Sequence, residues 1–180
     1  MPLGLIRKIL GGEDAARADA EHLYAALMAQ SRQPAFYGAK RIPDSQEGRL
    51  EALFLHMAPV IHALRSFGED GRRLAQALFD TMRQDFDTAL REEGYTDSGV
   101  KRRIKPMIQR FYANLKSYTE AFEADADLAD VLAVDLTETD GDYLGALGTY
   151  AKTFMSRLDA LTLGEIAQAR LPFPDPPLPR

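Results

Sequence analysis

Leu74, Leu78, Met82, Phe86 and Leu90 recur at every fourth residue, so a chain wound at 3.6 residues per turn lines them up as one apolar stripe. The opposite face of that stripe carries Asp80, Asp85, Asp87, Arg91 and Glu92, and Gly94 follows where a helix C-cap belongs. Similar stripes recur along the chain, and no stretch alternates with the period of two that a half-buried strand requires. The pattern predicts an all-α fold: a single-domain helical bundle of about six to seven helices.

The remaining helices follow from the same periodicity. The first runs from about Ala16 to Arg32 on Ala20, Leu23 and Leu27, and Pro34 stops it. The second carries Leu50, Leu53, Phe54, Met57, Ile61 and Leu64; Asp44 and Glu47 have capping-box spacing at its start, and Pro59 should kink it. A fourth follows Asp97 and Ser98 with Ile104, Ile108, Phe111, Tyr112, Leu115, Tyr118 and Phe122 inward, bent or divided at Pro106. "ADADLADVLAV" predicts a short helix. A longer one spans about Asp142 to Leu161, with Gly145 and Gly148 allowing a close neighbour, and Thr162 with Glu165 caps a last short one. Residues 1–15 read as a flexible N-terminal segment and 16–170 as the helical domain. The tail 171–180 holds five prolines in ten residues and should be extended or disordered.

Composition sets limits on chemistry. The chain has 180 residues and no cysteine, which removes disulfides, thiolate metal sites and a cysteine nucleophile. Charge is uneven: residues 1–116 hold 18 Lys/Arg against 15 Asp/Glu, whereas 117–180 hold 4 against 12. A basic front and an acidic back suit oriented contact with a charged partner. No apolar run reaches the ~20 residues needed to span a bilayer, and "MPLGLIRKILGG" lacks the features of a secretory signal.

Catalytic signatures are missing: there is no Gly-rich phosphate loop, no His-Glu-x-x-His and no Gly-x-Ser-x-Gly. A di-iron bundle would need Glu-x-x-His on two helices, and none is present. The histidines are His22, His56 and His62, and the last two, six apart, do not share a helical face. Two features stand out instead. Lys101, Arg102, Arg103 and Lys105 crowd the first turns of a helix, where the macrodipole favours anions, so an anionic partner would offset them. The segment "RQPAFYGAKRIPDSQEGR", from Arg32 to Arg49, places Phe36 and Tyr37 in a loop between basic residues. Its aromatics either close over the core or form a protein-binding surface. The former predicts at least one buried ring, with Arg41 and Arg49 accessible or bridging to the acidic helix.

That segment, together with "LAQALFDTMRQDFDTALREEGYTDSGVKRRIKPMIQRFYANLKSY", resembles the ubiquinol–cytochrome c chaperone family. The shared features are Arg-x-Pro-x-Phe-Tyr, a Val-Pro-Asp-Thr-x-x-Gly-Arg turn (here Ile-Pro-Asp-Ser), a Leu-Phe-Asp…Asp-x-Asp-x-x-Leu-Arg-Glu helix and a Lys-rich helix ending in Phe-Tyr. They run in order from about Glu21 to Tyr118, with looser similarity to Leu161. Leu50 replaces an aromatic, Ala113 and Asn114 replace Gly and Arg, and Pro106 has no counterpart.

The resemblance implies an assembly factor for the cytochrome bc1 complex, in a bacterial member of the family. It would bind newly made cytochrome b, without catalysis and without a cofactor. The ribosome, an anionic membrane surface and a small partner subunit are its further contacts, and DNA is not among them. Its place is the cytoplasm, peripheral on the inner membrane's cytoplasmic face. Carried onto this chain, with the charge patterns above, the partner-binding residues are Arg32, Phe36, Tyr37, Arg41, Asp44 and Arg49 in the loop. Asp80, Asp85, Asp87, Arg91 and Glu92 follow on the acidic helix, and Lys101, Arg102, Lys105 and Tyr112 on the basic one. The alternative is a helical small-molecule or haem-binding enzyme using His22, His56 or His62.

Overall fold

In the computed structural model, residues 3–178 are described, with side chains from residue 13 onward. Seven α-helices follow in order: α1 (Leu3–Ser31), α2 (Gln46–Leu64), α3 (Gly68–Glu92), α4 (Asp97–Glu123), α5 (Ala129–Ala133), α6 (Gly141–Leu158) and α7 (Leu163–Ala167). Two 3₁₀ turns, Pro34–Phe36 and Arg65–Phe67, flank α2. Among the described residues there is no strand, only an isolated bridge between Tyr37 and Ile42. The all-α, single-domain expectation holds.

The organising element is α2. Its sequence reads as one apolar stripe, yet every residue from Glu51 to Val60 is buried. A helix covered on all sides must sit centrally, and α2 packs against α1, α3, α4 and α6. Its two flanks serve two cores. On one side Leu53, Phe54 and Met57 join Leu23, Leu27, Leu78, Met82, Phe111 and Phe154. On the other, Ala52, Leu55 and Ala58 join Phe36, Ile42, Tyr118, Leu128, Leu147 and Tyr150.

Several local expectations are corrected. The α2 cap is Ser45 rather than Asp44: the Ser45 side chain accepts from the Gly48 N–H, and Asp44 instead pairs with Arg49. Pro106 does not divide its helix, since α4 runs unbroken from Asp97 to Glu123. Pro106 is exposed, so the carbonyl it leaves unpaired one turn earlier faces water, which lowers the cost of an interior proline. α1 begins at Leu3, so the backbone set apart as an N-terminal segment continues the first helix. The Pro-rich tail is extended but packed: Phe173 lies 4.8 Å from Phe154 between ring centroids, and Arg157 donates to the Pro172 and Phe173 carbonyls. Capping at Gly94 and the Thr162–Glu165 box form as the sequence indicates. Gly148 does meet a close neighbour, Leu128, whereas Gly145 does not.

Candidate functional site

The loop between α1 and α2 is held from inside. Phe36 is wholly buried, edge-on to His56 at 5.2 Å and to Tyr150 at 5.3 Å. Tyr37 is 8% exposed and donates its hydroxyl to the Ser31 carbonyl at 2.5 Å, and burial pushes its pKa up to about 12. Ile42 is buried beside them. Gly48 permits the turn, because a Cβ there would collide with the Pro43 carbonyl oxygen. In this structure Phe36 and Tyr37 therefore present no rings to a partner, and they anchor the segment. Arg41 is half-buried and donates to the Ala35 carbonyl, while Arg49 stays exposed on Asp44 and over the Tyr37 ring. Neither reaches the acidic helix.

Behind the loop His56 is fully buried. Its Nδ1 donates to the Ala52 carbonyl at 2.7 Å, which leaves Nε2 to accept from the Tyr150 hydroxyl at 2.8 Å. Gln30 donates to the same hydroxyl. Burial lowers the His56 pKa to about 4, so the ring is neutral at physiological pH. Both nitrogens are engaged inside the core, which removes His56 from any axial or catalytic role. His22 is exposed on α1, and His62 packs edge-on against Phe122. Among the described residues no group of three or more His, Asp or Glu is placed to hold a metal.

The acidic helix is not one free acidic surface. Asp80 accepts from Gln76 and faces a hollow between α1 and α3. Asp85 accepts the Tyr24 hydroxyl at 2.8 Å. Arg91 bridges Asp87 and Asp97, holding the end of α3 to the start of α4, and it keeps the Asp97 carboxyl below its usual pKa. Glu92 is exposed.

What the packing of α1, α2, α3 and α4 does create is a trough. Two hollows of about 190 Å³ and 370 Å³ share Gln46, Leu50, Leu90 and Met107 and so are continuous. The floor is apolar, formed by Leu50, Leu53, Phe86, Leu90, Pro106 and Met107 with Met28 at one end. The rim carries Arg32, Arg49, Arg102, Arg103 and Arg110 against Glu47, Asp85 and Glu93. Of the loop and helix residues expected at a site, the trough gathers Arg32, Arg49, Asp85 and Arg102. It leaves Lys101, Lys105 and Tyr112 on the outer side of α4, all exposed; the inward position expected for Tyr112 is corrected, since Phe111 fills the core and the Tyr112 ring, 52% exposed, leans on Phe79 at the surface.

Sequence reasoning missed a buried charge cluster beneath the trough wall. Glu51 is 1% exposed and meets Arg110 at 2.5 Å and Asn114 at 2.6 Å, and Arg110 also reaches Asp135 at 3.1 Å. Burial, then Asp135, raise the Glu51 pKa to about 7, with Arg110 opposing. The signal was a lone Glu in the apolar run "LEALFLHMAPVIHAL". Asn114, a departure from the family pattern, is thus an internal residue donating to Glu51 and not a surface contact.

The ubiquinol-cytochrome C chaperone family matches residues 39–173, three-quarters of the chain. The chain belongs to that family. The crystal structure of the Cbp3 homolog from Brucella abortus superposes with a TM-score of 0.78 at 27% identity, covering 97% of each chain. No curated protein sequence gives a match. Helices α2 to α7 and the floor residues Leu50, Leu53, Phe86, Leu90 and Met107 lie within the matched stretch, whereas α1 precedes it. Among the described residues no helix is long and apolar enough to cross a membrane.

Proposed function

We propose that this protein is an assembly chaperone of the cytochrome bc1 complex that binds newly made cytochrome b. The observation that carries the reading is the family match over residues 39–173, which includes most of the trough's lining, with Met28 and Arg32 of the α1 end preceding it. Cytochrome b is a membrane subunit whose apolar segments must be shielded before assembly. A trough floored by Leu, Met and Phe offers adaptable apolar contact, since the unbranched thioether side chain reshapes at low cost. The charged rim keeps the site open to water when empty and orients an incoming segment.

The action is binding and release, with no chemical step. The protein works in the cytoplasm, peripheral to the inner membrane, and the ribosome and a small partner subunit are further contacts of the same reading. The test is capture: a photoreactive side chain at position 107, on the trough floor, should form an adduct with cytochrome b during its synthesis. An otherwise identical probe at the remote, exposed position 168 should not.

A further inference from the structure

The outer side of α4 has no counterpart in the trough. Lys101, Lys105, Gln109, Tyr112 and Lys116 are spaced by four, four, three and four residues, so they stand on one side of the helix. All are exposed, and from Lys101 to Lys116 the stripe is about 22 Å long at 1.5 Å per residue. In its middle the Tyr112 ring leans on Phe79 of α3, with centroids 5.1 Å apart, and one turn on from Phe79 lies exposed Arg83. Asp87 and Asp97 are engaged with Arg91, and the pair of Lys116 with Glu120 at 3.7 Å is exposed and readily exchanged for another anion. Pro106 and Met107 of α4 line the trough instead.

We propose that this face of α4, with Phe79 and Arg83, is the surface by which the protein lies on an anionic lipid bilayer. The proposal rests on the peripheral-membrane reading above and names the face that makes the contact. Lysines attract the headgroups, and Tyr112 sits at the interface, where a ring with a polar tip is favoured. Three observations favour a bilayer over RNA. A single row of exposed cations about 22 Å long on one helix matches a flat sheet of charge. Its cations are mainly lysines on flexible stems, suited to mobile headgroups, whereas fixed bidentate phosphate recognition calls for arginine. Phe79 covers one side of the Tyr112 ring, so its free edge and hydroxyl face outward, and only a reduced face remains for stacking on a base. The acidic segments from Asp125 to Asp142 lie in α5, α6 and their connections, over the other core, and a negative bilayer repels them.

Sedimentation of the full chain with vesicles tests this. The protein should bind vesicles of equimolar phosphatidylcholine and phosphatidylglycerol, bind phosphatidylcholine alone far less, and release as salt is raised. At about fivefold in partition per basic residue, the triple variant Lys101→Glu, Lys105→Glu, Lys116→Glu should bind at least about a hundredfold more weakly. Arg17→Glu, Arg72→Glu, Arg73→Glu, which changes net charge equally at the α1–α3 hollow, should bind nearly as the parent does. The chain has no tryptophan, so Tyr112→Trp supplies a single reporter whose emission should shift to the blue on the mixed vesicles. Cooperative melting of each variant confirms folding.

Equal loss in both charge variants, or an indole emission in Tyr112→Trp that does not move on the mixed vesicles, would overturn the assignment of this face while leaving membrane association standing. Wild-type protein that ignores mixed vesicles would overturn the membrane reading itself. Tighter binding to a single-stranded RNA oligonucleotide, lost in the α4 variant, would make the stripe an RNA surface instead. None of these outcomes bears on cytochrome b capture, because the vesicles contain no client.

Discussion

Phe36→Ala is the sharpest probe of the loop between α1 and α2. The ring is completely buried and sits edge-on to both His56 and Tyr150, so truncation empties space that α2 and α6 line. Buried Phe→Ala changes cost about 3–5 kcal/mol, combining lost transfer energy with the cavity left behind. Each edge-on pair adds about 0.5–1.5 kcal/mol beyond area, and two are lost here, so the upper half of the range is expected. Against a total stability of about 5–15 kcal/mol, this is roughly a quarter of the whole or more. Urea melts should show a lower midpoint with an unchanged slope, because the folded state stays compact while its stability falls. The parallel variant Tyr112→Ala removes a half-exposed ring and should cost far less. A Phe36→Ala loss below about 1 kcal/mol would refute the anchoring role, since no well-packed buried ring is that cheap to remove.

Two further outcomes follow from the same interior. Gly48→Ala must displace the Pro43 carbonyl, which is backbone and cannot rotate away, so it should destabilise by about 1–3 kcal/mol in a thermal or urea melt. The two buried titrating groups oppose each other in pH. His56 falls from 6.5 to about 4, so its contribution is complete above pH 6.5 and is lost as pH falls through about 4. Glu51 rises from 4.5 to about 7, so its contribution is complete below pH 4.5 and is lost as pH rises through about 7. Stability should therefore change little between those limits, whereas Glu51→Gln, which keeps only the histidine effect, should gain stability with rising pH across the same window. A parallel pH dependence of variant and parent in urea midpoints would show that Glu51 does not titrate there.

The bundle was legible because its helices are amphipathic: the four-residue repeat from Leu74 to Leu90 fixes the inward face of α3, and all five residues are buried. Central burial of α2 was missed although Ala52, Leu55, Ala58 and Val60 make its other faces apolar too, because reading the helix as one stripe from Leu50 to Leu64 leaves those faces out. The loop gave half its answer. Two aromatics between prolines suggested a pinned segment, yet nothing local says that both rings turn inward, because the cavity for Phe36 is built by His56 and Tyr150 from distant helices. The charge cluster joins Glu51, Arg110, Asn114 and Asp135, whose separation along the chain hides their meeting. The trough likewise depends on how α1 to α4 cross, so Leu50 and Met107 looked like ordinary core positions.

The central claim is that the trough holds newly made cytochrome b, and position-specific capture tests it most directly. With a photoreactive residue at 107 or 50, brief labelling during synthesis should yield a cytochrome b adduct that disappears as the bc1 complex matures. The same probe at 168 should yield none, and with the probe at 107, Leu50→Glu at a half-buried position of the trough floor should abolish capture while the variant still melts cooperatively. Absence of a cytochrome b adduct from both trough positions, or equal capture from position 168, would contradict the account.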